Sequence, residues 1–201
     1  MESCVQAVEI LSKKEPKVLF ILMGQPSNFP QSKLVALSSQ GVIVIDDLEV
    51  QNRLGVFVRA ASDFTFIPSK QEAFGLVAAE GLLFGNFIIS SGVGGMKDFL
   101  IDRNPQNPTQ YFNSFFFNYH SKFSLQKALE DAIGFVSRLE PSKRDEIMKQ
   151  FTRDALSLSW EDQVGPTFKY SLAYYQGWKL KNELDPERFI LDIRETRLRK
   201  Y

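Results

Sequence analysis

The chain is poor in the residues on which much enzyme chemistry depends. It has one cysteine, Cys4, and one histidine, His120, among 201 residues, and its 24 Lys and Arg balance its 24 Asp and Glu. A single cysteine excludes an internal disulfide and suits a reducing compartment. On the apolar side of a helix it reads as plain core rather than as a redox thiol. With one histidine no Ser/His/Asp arrangement can be argued, and no constellation of metal ligands is visible. Zero net charge provides no global field to draw nucleic acid or an anionic membrane. Long apolar runs are missing too: the longest, 18–23, is far below the ~20 residues of a membrane-spanning helix. The start, MESCVQAVEIL, lacks the basic stretch and long apolar core of a secretory signal. The expectation is a soluble, cytoplasmic protein with enough chain to bury a substantial core in one main domain.

What the chain does have is an alternation of short apolar runs with helical stretches. This pattern belongs to a parallel sheet with crossover helices, an α/β fold of the doubly wound type. An opening helix around 5–11 stops before Pro16. Strands are expected at 18–22, 42–45, 64–67 and 87–89, with a short one at 115–117. The continuous run 18–22 reads as a strand buried on both faces. Helices are expected at 32–39, 49–61, 74–84, 125–139, 142–158 and 160–178. One main α/β domain would then occupy 1–180. The charged stretch 181–201 would form a tail, a helix or arm leaving the domain. A doubly wound sheet places its ligand crevice at the carboxyl ends of the strands.

One stretch concentrates the chemistry, PSKQEAFGLVAAEGLLFGNFIISSGVGGMKD, running from Pro68 to Asp98. Glu72 and Glu80 stand eight positions apart, just over two turns of helix. Glu72 therefore falls before a helix N-terminus and Glu80 well inside that helix. Gly75 near the helix start exposes backbone N–H groups, which attract phosphate. A loop and helix of this kind can hold a diphosphate on amides and sugar hydroxyls on carboxylates, which points to a nucleotide-sugar site. Each residue also has a plainer reading. Glu72 could be a solvated loop carboxylate or a charge complementing the helix dipole. Glu80 interrupts an apolar helix and is costly to bury unpartnered; either a ribose diol or an ion pair with a nearby Lys or Arg would serve. Gly94-Gly95 could be only a turn, or could let the backbone approach a sugar closely. Lys97 and Asp98 read as surface charges, His120 as a packed or exposed bystander, and Phe115-Phe116-Phe117 as strand and core.

Glu72-Ala-Phe-Gly-Leu-Val-Ala-Ala-Glu80 followed by Gly94-Gly95 resembles the motif of two-domain retaining glycosyltransferases of the GT-B class. More narrowly, the chain resembles the C-terminal donor-binding domain of the starch and glycogen synthase family, which includes the fungal α-glucan synthases. The resemblance runs from about Val8 to about Trp178 and includes the Ser69 loop and Ser159-Trp160-Glu161. It implies transfer of glucose from UDP- or ADP-glucose to an α-glucan acceptor with retention, without a metal or other cofactor. Glu72 would be the catalytic residue, orienting the glucose as the C1–O bond breaks. Phe74, Gly75 and Leu76 would hold the diphosphate, Glu80 the ribose, and Gly94 and Gly95 the space for the sugar and its phosphate.

The resemblance also implies what is not here. Family members open this domain with a strand whose following loop supplies an Arg and a Lys to the donor diphosphate. This chain starts with the helix that would come next, and Lys13 and Lys14 lie at the wrong end of it. The first strand of the sheet and the whole N-terminal acceptor domain are expected to be lacking, which exposes a sheet edge or leaves a sheet gap. Three functional classes follow: a hexosyltransferase half active only with a complementary N-terminal domain; an inactive truncated module binding a nucleotide-sugar or a protein; or an unrelated doubly wound domain in which Glu-x7-Glu is accidental.

Overall fold

A computed structural model of the chain describes the backbone of residues 2–24 and 31–159, and the side chains of all of these except 2–6 and 31. The chain divides into two compact units, Met1–Ala155 and Leu156–Tyr201. The expected closing helix at 160–178, Trp160 and Glu161, the tail 181–201 and the side chain of Cys4 lie outside the described residues.

Strands and helices alternate as the apolar runs suggest. The order is α1 (Glu2–Lys14), β1 (Ile21–Met23), α2 (Gln31–Ser39), β2 (Ile43–Ile45), α3 (Leu48–Ala61), β3 (Phe64–Ile67), α4 (Leu76–Leu83), β4 (Phe87–Ser90), a 3-10 turn (Gly94–Asp98), β5 (Ser114–Phe116), α5 (Lys122–Val136) and α6 (Pro141–Leu156). Local chemistry sets several boundaries. Asp47 caps α3 by accepting from the Val50 amide at 2.8 Å, and Ser121 caps α5 by accepting from the Ser124 amide at 3.2 Å. Gly85, at φ +81°, ends the turn after α4 in the left-handed region that glycine occupies without strain.

Every strand pair is parallel, but the sheet is in two parts. β1 pairs with β2, while β3, β4 and β5 form a second sheet with β4 in the centre. Among the described residues β1 and β3 share no strand neighbour, so each keeps one unpaired edge. This explains a departure from the expectation for the first strand. Burial on both faces holds for β4, where all four residues are buried, but not for β1, whose three residues are only half-buried. Ordered strand structure in the first run also starts later, at Ile21, and Leu19 remains 63% exposed. A strand with one neighbour gains one ladder of hydrogen bonds and less cover from flanking helices.

The second sheet is covered on both faces, and the alternation of β4 side chains shows how. Ile88 and its register partner Thr65 lie under α4, close enough that a Cβ at Gly81 would meet Ile88 Cδ1 at 2.8 Å. Phe87 points the other way. Its ring stands edge-on to Phe135 of α5 at 5.6 Å and to Phe151 of α6 at 4.8 Å. Ala7 and Leu11 of α1 join this same core. Lys14 in the last turn of α1 bonds Glu130 of α5 at 2.7 Å, tying the first helix to the layer over the second sheet. The parallel strand order leaves the carboxyl ends of β3, β4 and β5 side by side, where the loops beginning at Pro68, Ser91 and Phe117 emerge.

Candidate functional site

The loop after β3 and the loop after β4 are packed backbone against backbone. Gly95 N–H donates to the carbonyl of Ala73 at 3.1 Å. A Cβ placed on Gly94 would fall 1.7 Å from the Glu72 carbonyl oxygen, and one on Gly95 would fall 2.7 Å from that of Ala73. Only glycine permits this approach, and Gly94 also takes φ +62°. Below it, Ser91 Oγ donates to the Ser69 carbonyl at 2.6 Å, and Ser69 Oγ reaches Glu72 Oε2 at 3.5 Å. Glu72 is half-buried on a loop held from both sides.

Gly75 turns this loop into α4. It sits buried at φ +98°, and a Cβ there would meet Met96 Cγ at 2.4 Å. Met96 is itself completely buried, so the 3-10 turn after Gly94 closes under the helix start. The Gly75 carbonyl accepts from the amides of Ala78 and Ala79 at 2.9 and 3.1 Å. At a helix start the first amides have no partner within the helix, which here leaves those of Leu76 and Val77 for another acceptor. Phe74 lies beside Phe99, ring centroids 5.4 Å apart, yet is 41% exposed; Leu76 and Val77 are 67% and 45% exposed. Large apolar side chains at the start of a helix, open to water together, are suited to being covered by something else.

Glu80, in the middle of α4, meets Arg59 of α3 with Nη2 and Oε2 3.0 Å apart. The pair is lopsided in exposure, 23% for the Arg59 side chain and 46% for Glu80. Glu80 therefore has an ionic partner within the chain and still presents part of its carboxylate to solvent. Sequence reasoning foresaw an ion pair as one solution for Glu80 without naming Arg59; the signal, an Arg in the last turn of the preceding helix, is weak by itself. Ser91 and Met96, which hold the two loops, were also not singled out. Nothing in their sequence surroundings marks a serine that bonds a carbonyl twenty-two positions earlier.

The site residues Glu72, Phe74, Gly75, Leu76, Gly94 and Gly95 are thus brought together at one loop cluster, with Glu80 a turn and a half further along the helix. Lys13 and Lys14 are occupied by Glu9 and Glu130. Among the described residues no three His, Cys, Asp or Glu side chains converge as metal ligands, and no helix is long and apolar enough to cross a membrane.

The chain is 35% identical over 104 residues to a D-inositol 3-phosphate glycosyltransferase of Xylanimonas cellulosilytica, a match covering 49% of this chain and 24% of that protein. It is 26% identical over 127 residues to a glycogen synthase of Elusimicrobium minutum, covering 63% of this chain and 26% of the relative. The chain thus spans about a quarter of the length of these curated relatives. Among solved structures it resembles a glycosyltransferase from Rickettsia africae, with TM-score 0.58, 15% identity, and coverage of 83% of this chain and 43% of the other. It also resembles a sucrose-phosphate synthase from Thermosynechococcus elongatus, with TM-score 0.56, 19% identity, and coverage of 86% and 43%. The fold is shared with these two structures. Residues 1–155 match the family described as glycosyl transferases group 1, and the chain belongs to that family.

Proposed function

We propose that this chain is the donor-binding half of a retaining glucosyltransferase of the starch and glycogen synthase type, the group that includes fungal α-glucan synthases. The observation that carries the reading is the close packing of Gly94-Gly95 on the Glu72–Gly75 loop at the carboxyl edge of a parallel sheet. On this reading that packing holds the Glu72 loop and the start of α4 as a cradle for the donor. A nucleotide-glucose, UDP- or ADP-linked, fits such a cradle: the diphosphate on the amides of Gly75 and Leu76, the glucose near Glu72, the ribose toward Glu80. As the C1–O bond lengthens, charge moves to the leaving diphosphate, and oriented amides lower the barrier by meeting it there. The acceptor would be an α-glucan presented by a complementary N-terminal domain, whose closure would also cover Phe74, Leu76 and Val77.

A second reading has its own support, in the divided sheet and the quarter-length coverage of relatives. On it the chain is a module that binds a nucleotide-sugar or a protein without turnover. Calorimetry with UDP-glucose and ADP-glucose tests the common part: either donor binds under both readings, and binding of neither rejects both. Joining the chain to an N-terminal domain from a related synthase separates them, since turnover is expected only under the first. In that two-domain enzyme Glu72→Ala should slow glucose transfer by far more than about threefold, which is under ~1 kcal/mol of barrier. A smaller effect removes Glu72 from the chemistry. Glu80→Ala should instead weaken donor binding more than it slows the bound complex.

A further inference from the structure

β4 ends at Ser90 and runs straight into Ser91, whose amide still donates to the Ile67 carbonyl of β3 at 3.4 Å. Successive side chains of a strand point to opposite faces of the sheet. Ser90, two positions from Ile88, therefore shares the face that lies under α4. Its buried hydroxyl accepts from the Gly92 amide at 3.0 Å and donates to Met96 Sδ at 3.3 Å, the same Met96 that closes under Gly75. Ser91 takes the other face and borders the open cavity that Lys70, Phe117 and Tyr119 also line.

The two neighbouring hydroxyls thus lead to different halves of the loop cluster. From Ser90 the path goes through Met96 to the start of α4. From Ser91 it goes through Ser69 to Glu72: Ser91 Oγ donates to the Ser69 carbonyl at 2.6 Å, and Ser69 Oγ lies 3.5 Å from Glu72 Oε2. Among the described residues no backbone-to-backbone hydrogen bond holds 68–72, so the short bond from Ser91 is a main restraint on the approach to Glu72. The Ser69 contact is long, but hydrogen bonds at a catalytic group are often long before substrate binds and tighten in the complex. With Oε2 turned to Ser69, Oε1 is the carboxylate oxygen left to accept from a sugar hydroxyl.

We propose that Ser91 is a positioning residue: acting through Ser69, it holds the Glu72 carboxylate with Oε1 toward the glucose of the donor. The inference rests on the donor reading and deepens it, because it assigns recognition of the sugar to one of two adjacent serines. Ser90, on the opposite face, supports the helix start where the diphosphate would lie, and is the internal comparison.

The test uses the full chain and calorimetry with UDP and UDP-glucose, and with ADP and ADP-glucose, each free nucleotide lacking the glucose of its counterpart. Ser91→Ala is expected to weaken the nucleotide-glucose by about five- to tenfold and the free nucleotide by less than about twofold. A serine that merely stabilised the fold would weaken both together. Glu72→Ala should lose the same glucose-dependent part of the affinity, and adding Ser91→Ala to it should cost nothing further. Ser91→Thr keeps the hydroxyl and, beside an open cavity, has room for the methyl; it should bind nucleotide-glucose within about twofold of the unaltered chain. The proposal is overturned if Ser91→Ala weakens nucleotide and nucleotide-glucose equally or neither, if its loss adds in full to that of Glu72→Ala, or if Ser90→Ala separates sugar from nucleotide just as Ser91→Ala does. If the unaltered chain binds neither nucleotide-glucose, the donor reading fails and takes this inference with it. If it binds one and the losses do not divide, the inference alone fails.

Discussion

At Gly94 two requirements coincide: a left-handed backbone and a carbonyl oxygen where a side chain would be. Gly94→Ala must move the Glu72 loop or its own segment, and is expected to destabilise the chain by about 2 kcal/mol or more, read from the urea midpoint. Gly134 provides the contrast. It sits inside α5 with the flexible Arg138 guanidinium nearest its Cβ position, at 3.6 Å, so Gly134→Ala should stabilise by about 0.5–1 kcal/mol through helix propensity. If both substitutions destabilise alike, glycine at 94 is not there for close approach. Arg59 is the other residue whose role can be separated by substitution. Its guanidinium holds Glu80 Oε2 and so sets which edge of the carboxylate faces outward. Under the donor reading, Arg59→Ala should weaken nucleotide-glucose binding by about three- to tenfold, with Arg59→Lys recovering part of it. Affinity unchanged in calorimetry would make Arg59 only a brace between α3 and α4.

Among the elements, legibility in the sequence follows how sharply each is bounded. β3 matches its expected range at 64–67, enclosed by Asp63 and Pro68. The run 18–22 offered no comparable stop, since continuous apolar sequence has no period from which to read a boundary, and β1 settled on Ile21–Met23. The glycine pair was legible as a bend; that it opens a 3-10 turn whose Met96 supports Gly75 was not, because that contact joins positions twenty-one residues apart in sequence. Likewise the identity of the Glu80 partner depends on how α3 and α4 lie together. Helix docking gives two predictions. Phe151, fully buried and edge-on to Phe87, anchors α6; Phe151→Ala should cost about 3–5 kcal/mol in chemical unfolding. The Lys14–Glu130 bridge between α1 and α5 is pH-dependent. The Lys14 hydrogen bond holds the Glu130 carboxyl below its ordinary value, while that same bond raises Lys14. A lowered carboxyl contributes its stability above the unfolded Glu value and loses it as pH falls through the folded one. Amide exchange in α1, corrected for intrinsic rates, should therefore be more protected at neutral pH than below the Glu130 transition. The difference should vanish in Glu130→Gln, and persistence there would assign it to another group.

For the whole molecule the decisive feature is the division of one parallel layer into two sheets. α1 bridges two apolar clusters: its Ala7 and Leu11 are buried with α5 and the second sheet, while its Val8 packs with Leu22 and Val44 of the first, and among the described residues β1 and β3 do not pair. Among the described residues both keep an edge of unpaired N–H and C=O groups, and exposed strand edges invite pairing with another chain. Exposed Phe57 and Val56 on α3, together with Leu76 and Val77 on α4, add apolar surface open to water. The proposed complementary domain would remove both liabilities at once, by supplying a strand between β1 and β3 and a surface over the start of α4. The isolated chain is therefore expected to self-associate as its concentration rises, seen as a growing mass in light scattering coupled to size exclusion. Fusion to an N-terminal domain of a related synthase that includes its following strand should restore a monomer and raise the unfolding temperature. A fusion with the acceptor domain but without that strand should leave the association in place. If the isolated chain stays monomeric at high concentration, or if the strand makes no difference, the two edges are not an open slot and the chain is complete as a sheet without it.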